Sequence, residues 1–452
     1  MENKNMKVPE KAPKIKDIFS KYGDEIARLF ADSSLDIKQL IDNYDYWTEF
    51  KQKSFPAGIN AEIAWAIRDM EGATNRKKLP FTDKEGIQFS FWLTPKTQPV
   101  LHFIDRGAMA FPISDIRDEG EKTKYLMASI IEESIASSQI EGAATTRRVA
   151  KEMLAENRMP KNKSEWMIYN NYRAMNYIKE RYCKEPLSQN MLLDLHRVLT
   201  ENTFTEKEKD AAGRFRIPGQ DDDIGVYDLD GNLLYMPYPA DKVRDEIQKL
   251  IDFANKNHDG IQNEFIHPVV KAIILHFWIP YIHPFIDGNG RTARALFYWF
   301  MLKNGYWIFE YISVSKLVLK MSGQYKKAFL YSECSENDMT YFILFNLNII
   351  EKSIKDVINI INEKESLQKK NRFILDKYPQ LNLRQRDILI NAIKNPNREY
   401  KIATHRGLHG IGYATARADF LELVELGLME SRIVGKTGIF VPAKDIQAKL
   451  QA

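Results

Sequence analysis

Most of the chemistry legible in this chain lies in one run, His283-Pro284-Phe285-Ile286-Asp287-Gly288-Asn289-Gly290-Arg291-Thr292-Ala293-Arg294. Gly288 and Gly290 permit backbone angles closed to residues with a Cβ, so successive N–H groups can converge into an anion-binding nest. The stretch that follows, Ala295 to Lys303, predicts a helix, whose N-terminus adds partial positive charge at the same point. Arg291 and Arg294, three apart, lie near one face of it and supply two permanent charges. Asp287 sets a hard oxygen ligand beside the anion site, as Mg²⁺ bound through phosphates needs. His283 is the residue type that takes a proton from a hydroxyl near neutral pH. Together these parts describe phosphoryl or nucleotidyl transfer, driven by positioning and charge stabilisation. The competing reading is a polar helix-start loop with a buried histidine. Eight constrained positions coincide, and the chance of that is on the order of 10⁻⁸ for average residue usage.

Those eight positions match HxFx(D/E)GNGRxxR, and the chain from about 120 to about 350 resembles the Fic-domain adenylyltransferases, or AMPylators. The resemblance implies transfer of AMP from ATP to a Ser, Thr or Tyr hydroxyl of a target protein, with self-modification besides. It implies His283 as general base and Asp287 as the Mg²⁺ ligand. Gly288, Asn289, Gly290 and Arg291 would surround the phosphates, Arg294 would hold the γ-phosphate, and Phe285 would anchor the core. A phosphokinase branch carries lysine where this chain has Gly290, which favours nucleotidyl transfer. Upstream, strands near Ile224 to Asp228 and Leu233 to Met236, about an Asp230-Gly231 turn, predict a hairpin over 224–236. It falls where the family carries a flap. Val226 and Tyr227 are its expected contacts at the nucleotide and target, the edge strand pairing with an extended segment. Tyr325 lies where some relatives place an adenine-side aromatic.

Ser137 to Gly142 match the family's inhibitory pattern, (S/T)xxxE(G/N), and Ser137 and Glu141 share a helix face. The resemblance implies that Glu141 pairs with Arg294 in competition with the γ-phosphate. A pattern this short arises about 0.4 times by chance in such a chain. It recurs at Ser332 to Asn337, in a polar stretch that reads as a turn or cap. Two other functions are consistent with the motifs: removal of AMP, with Glu141 orienting a water, and a nucleotide-sensing regulator that binds DNA. Family members also use UTP, GTP or CDP-choline as donors.

The elements that must position these residues are mostly helices. The 452 residues, 44% hydrophobic and 12% aromatic, predict two to four domains with packed cores. With 65 basic and 61 acidic residues, the chain lacks the charge of a dedicated nucleic-acid or membrane-surface protein. Cys183 and Cys334 cannot make a disulfide framework, which points to a reducing, cytoplasmic setting. Met1 to Asp17 leads into no apolar signal segment, and Val269 to Ile282 is too short for a membrane span. The expected architecture is mainly α. An N-terminal helical region (1–120) precedes a Fic-like core (121–350) with inhibitory helix (121–142) and flap (224–236). A helical connector (351–380) and a winged-helix-like unit (381–445) complete it. That unit should contain helices at Leu383–Asn395 and Tyr413–Leu426, a strand at Arg398–Ile402, and a strand pair over Glu430–Pro442. Residues 371–452 carry 13 Lys/Arg against 8 Asp/Glu. Arg406, His409, Arg417, Arg432 and Lys436 could meet DNA phosphates, but Asp419, Glu422 and Glu425 weaken that footprint, and a protein partner fits equally well. His258, His267, His276 and His283 do not match zinc spacings, and His267 and His276 should brace the helix that delivers His283.

Overall fold

The computed structural model describes residues 8–31, 43–73, 75–109, 119–222, 224–227, 231, 233–261, 264–370, 378–434, 437–446 and 449. Helices α1 (Ile15–Ala31), α2 (Trp47–Phe50) and α3 (Ala61–Ala73) lead to an antiparallel ribbon of β1 (Lys77–Thr82) and β2 (Gln88–Phe91). Helices α4 (Thr97–Met109), α5 (Glu119–Ile140), α6 (Arg147–Ala155), α7 (Lys163–Tyr177) and α8 (Gln189–Thr200) follow. A second ribbon, β3 (Val226–Tyr227) with β4 (Leu233–Tyr235), precedes α9 (Val243–Asn255), α10 (Pro268–Ile282) and α11 (Asn289–Lys303). Then come α12 (Val314–Lys320), α13 (Ser322–Cys334) and the long α14 (Thr340–Lys370). The C-terminal unit is α15 (Leu383–Lys394), α16 (Ile402–His409), α17 (Tyr413–Glu425) and a hairpin of β5 (Met429–Val434) and β6 (Thr437–Pro442). No helix among the described residues is long and apolar enough to cross a membrane.

Helix α10 is the centre. Residues Val269 through Ile279 are all buried, Lys271 and His276 included, as a helix apolar on every face requires. Pro268 starts it without a wasted donor, and the His267 ring accepts from the Val269 N–H at 3.3 Å. Lys271 is tolerated because its ammonium reaches the Lys256 carbonyl at 2.7 Å. The ribbon of β1 and β2 packs on this helix, with Phe81 stacked on Trp278 at 4.3 Å. Burying each such aromatic contributes roughly 1.5–3 kcal/mol.

The packing does not divide at 120, where the sequence suggests a boundary. Leu79, Phe81, Phe89, Phe91, Leu101 and Ile104 share one core with α10 and α11. In Leu79, Phe81, Phe89 and Phe91 the alternating burial is the period-two pattern of a strand pair, within a region expected to be helical. Helices α1 to α3 form a second cluster closed by Trp92 and Tyr341. Helix α14 carries Ile349, Ile350, Ile354 and Ile361 in the main core, so the expected connector begins inside it.

In the C-terminal unit a strand over Arg398–Ile402 is replaced by a single bridge. Tyr400 exchanges backbone hydrogen bonds with Phe440 at 2.8 Å each, and α16 begins at Ile402. Gly407 conceals that helix from sequence reading, since glycine reads as a breaker. It is there because the Ala155 backbone of α6 leaves no room for a Cβ. Of the residues expected to face phosphates, Arg417 and Arg432 are exposed and Arg406 is half-buried. His409 is buried, which removes it from any such surface. Lys436 lies outside the described residues.

Candidate active site

Helix α10 ends by delivering His283 in the left-handed region (φ 54°, ψ 58°), unusual for a residue with a Cβ and held there by its neighbours. Arg216 does the holding. Its Nε donates to the His283 carbonyl at 2.7 Å, its Nη2 to those of Ile282 (3.3 Å) and Tyr238, and its backbone N–H to that of Pro284 (2.9 Å). His283 Nδ1 lies 3.3 Å from the Pro280 carbonyl. As an N–H donor there, it leaves Nε2 with a free lone pair.

The loop beyond is closed by its own side chains. Asn289 accepts from the Phe285 N–H at 3.0 Å and donates to the Phe285 carbonyl at 2.8 Å. Phe285 is buried and stacks on His196, centroids 3.7 Å apart. The His196 Nδ1 accepts from the Gly213 N–H at 2.9 Å, so its Nε2 carries the hydrogen and donates to the Asp287 carbonyl at 2.8 Å. Gly288 (φ 88°) sits where a Cβ would overlap Thr200. Asp287 accepts from the Gly288 N–H at 2.6 Å through one oxygen, and its side chain remains 44% exposed. That is a pre-oriented carboxylate open to solvent, able to share a hard cation with phosphate oxygens.

The two arginines part company. Arg291 is fully buried, donates to the Leu199 carbonyl at 2.8 Å and lies 3.3 Å from Asp287. Its guanidinium braces α11 against α8, and its one hydrogen bond into the site goes to the Asp287 carboxylate, which it helps to orient. Arg294 points the other way. Its Nε donates to Ser137 Oγ at 2.8 Å and its Nη2 to the Ser137 carbonyl and to Glu141, both at 2.9 Å. Its Nη1 is buried with no hydrogen-bond partner among the described residues. The Glu141 carboxylate also abuts Gly290, where any Cβ would overlap it. Glu336, the rival in sequence, is exposed in a left-handed turn (φ 52°).

His283, Gly290, Arg294 and Glu141 line a cavity of about 230 Å³. Val226 of the ribbon lines it too; Tyr227 does not. Tyr325 is both wall and core, its hydroxyl 2.9 Å from His276 Nε2.

Residues 186–301 match the Fic/DOC family. This chain carries a Fic domain. Over 144 residues it is 27% identical to a protein named protein adenylyltransferase Fic from Drosophila willistoni, and 26% identical to its namesake in Drosophila melanogaster. Each match spans 31% of this chain but only 26% and 27% of the relatives. A Fic family protein from Desulfovibrio desulfuricans shares the fold at a TM-score of 0.50. That comparison covers 81% of this chain and 99% of that one, at 18% identity.

Within this Fic domain, burial pushes His283 down to about 4, and the nearby Arg216 charge acts in the same direction. The ring is therefore neutral near pH 7, as a base must be. Burial likewise takes His196 to about 4 and His276 to about 3. His276 bonds to Tyr325, and His267 lies 3.1 Å from Asp105. Arg216 and His196 shape the Fic loop yet carry no signal in the motif itself. Gly213-Arg214-Phe215-Arg216 hints at the first, and nothing local distinguishes the second.

Proposed function

We propose that the chain is a protein adenylyltransferase of the Fic type, held back by Glu141. The observation that carries this reading is the convergence on one cavity of a neutral histidine, the first turn of α11 and an arginine already occupied by a carboxylate. The target hydroxyl oxygen attacks the α-phosphorus of ATP while His283 Nε2 takes its proton. The bond from that phosphorus to the bridging oxygen breaks, pyrophosphate leaves, and AMP remains esterified to the target. The N–H groups of the first turn of α11, which a helix leaves without intrahelical partners, stabilise charge on the phosphates. Asp287 would hold Mg²⁺, which when bound neutralises phosphate charge. The exposed side of the β3–β4 ribbon, with Leu233 and Met236 open to solvent, suits an extended target segment. With Glu141 in place, Arg294 is not free for the γ-phosphate.

The test is mass spectrometry of the Glu141→Gly protein after incubation with each nucleotide separately. ATP should add AMP to the protein or its target, and adding His283→Ala should abolish the adduct. No adduct with any nucleotide would overturn the assignment.

A further inference from the structure

The cavity beside the motif loop has a wall that the transfer step does not use. Glu333, in the last turn of α13, lines it with Val226, Leu234, Tyr235, Tyr281 and Phe329. On the same helix Tyr325 stands beside Arg294, and Glu333 is eight residues further on, about 12 Å along the axis. The charge acting on Glu333 comes from Lys84, not from Arg294 or His283. It therefore marks the side of the cavity away from the anion site. Apolar and aromatic walls with one convergent polar group suit a flat heterocycle there.

The Glu333 carboxyl makes no hydrogen bond or ion pair with any described residue. Facing it are Lys84 from the β1–β2 turn, Tyr235 of β4, Tyr281 of α10 and its neighbour Cys334. Lys326 lines the same cavity two turns earlier. Lys84 is committed to the Met236 carbonyl and sits 5.5 Å over the Tyr235 ring. Burial raises both tyrosines, so they stay protonated.

We propose that Glu333 reads the base of the donor nucleotide, and that it does so as a carboxylic acid. Its O–H donates to N1 of adenine and its carbonyl oxygen accepts from the 6-amino group. The proposal rests on the function given above and names which base that site takes. Two effects favour the acid form. Burial raises Glu333 to about 8. The negative end of the α13 dipole opposes a carboxylate in a last turn that holds no basic residue. Once ionised, Glu333 offers two acceptors, which repel adenine N1 and match the N1–H and 2-amino groups of guanine. Donor choice should then shift from ATP toward GTP as Glu333 loses its proton.

Equilibrium binding of ATP and GTP to the full chain carrying Glu141→Gly and His283→Ala tests this. It is measured more than a unit below and above the Glu333 titration. The affinity ratio cancels whatever titrates at the phosphates, which the two nucleotides share. The ratio of ATP to GTP affinity should fall about tenfold or more from the acid to the alkaline arm, the scale of one bidentate base contact. Glu333→Gln, whose amide keeps one donor and one acceptor at every pH, should retain the ATP preference without the pH dependence. Glu333→Leu should lose the preference. A ratio independent of pH, and unchanged by Glu333→Gln, overturns this proposal alone. Binding of neither nucleotide overturns it together with the function it rests on.

Discussion

Glu141 and Arg294 meet at 2.9 Å with side chains 28% and 5% exposed. A charge-assisted hydrogen bond so placed contributes about 1.5–3 kcal/mol net. Replacing Glu141 by glycine removes it and leaves Arg294 with its two bonds to Ser137. If the pair competes with the γ-phosphate, the same energy returns as donor binding in the productive pose. Transfer at subsaturating ATP should then rise by about 10- to 100-fold. Glu141→Gln keeps an acceptor for Arg294 but drops the charge, so it should recover only part of that gain. Stability must move the other way, because the variant leaves a buried guanidinium short of a partner. A loss of about 1–3 kcal/mol is expected. The assay is incorporation of labelled ATP at several concentrations, with a melting curve for each variant. A lower melting temperature with unchanged or reduced transfer would make Glu141 a structural brace and refute the competition.

Three further outcomes follow from the packing. His196, His276 and His283 fall to about 4, 3 and 4 in the folded chain, against about 6.5 when unfolded. Protons therefore bind the unfolded chain preferentially; their contribution is complete above about pH 6.5 and is lost as pH falls toward 4. A melting series should show it, and His276→Gln, which keeps a partner for Tyr325 but cannot protonate, should lose less over that range. Arg291→Met should cost about 2–4 kcal/mol in denaturant unfolding, because the Leu199 carbonyl and Asp287 lose a buried donor. Arg294→Met should instead weaken ATP binding in the Glu141→Gly background, and a reversal of those two phenotypes would disprove the division of labour. Gly407→Ala drives a Cβ into the Ala155 backbone, so the C-terminal unit should lift off α6. Hydrogen exchange over residues 147–155 should rise by an order of magnitude or more, and unchanged protection there would show that the contact yields without undocking.

What could be read from the residues, and what could not, divides by how far the deciding interaction lies along the chain. His283, Asp287, Gly288 and Asn289 act on one another within a few residues, so their spacing alone announces the loop that their hydrogen bonds close. Ser137 and Glu141 share a helix face by periodicity. That they meet Arg294, 157 and 153 residues away, rests on the resemblance until the structure shows the bonds. The residues that escaped notice are those whose partners are distant and whose types are unremarkable in place. Arg216 holds carbonyls 66 and 67 residues on, and His196 clamps one 91 residues on. Arg291 misled for the opposite reason. Its position in the motif suggested phosphate, yet its fork is spent on Leu199, 92 residues earlier, and on Asp287. A guanidinium with no exposure cannot reach a ligand without leaving those partners unpaired in the interior, which costs more than one phosphate contact returns. The motif therefore holds two different arginines: one whose removal the fold should feel first, and one, with an unsatisfied Nη1 at the cavity, whose removal the nucleotide should feel first.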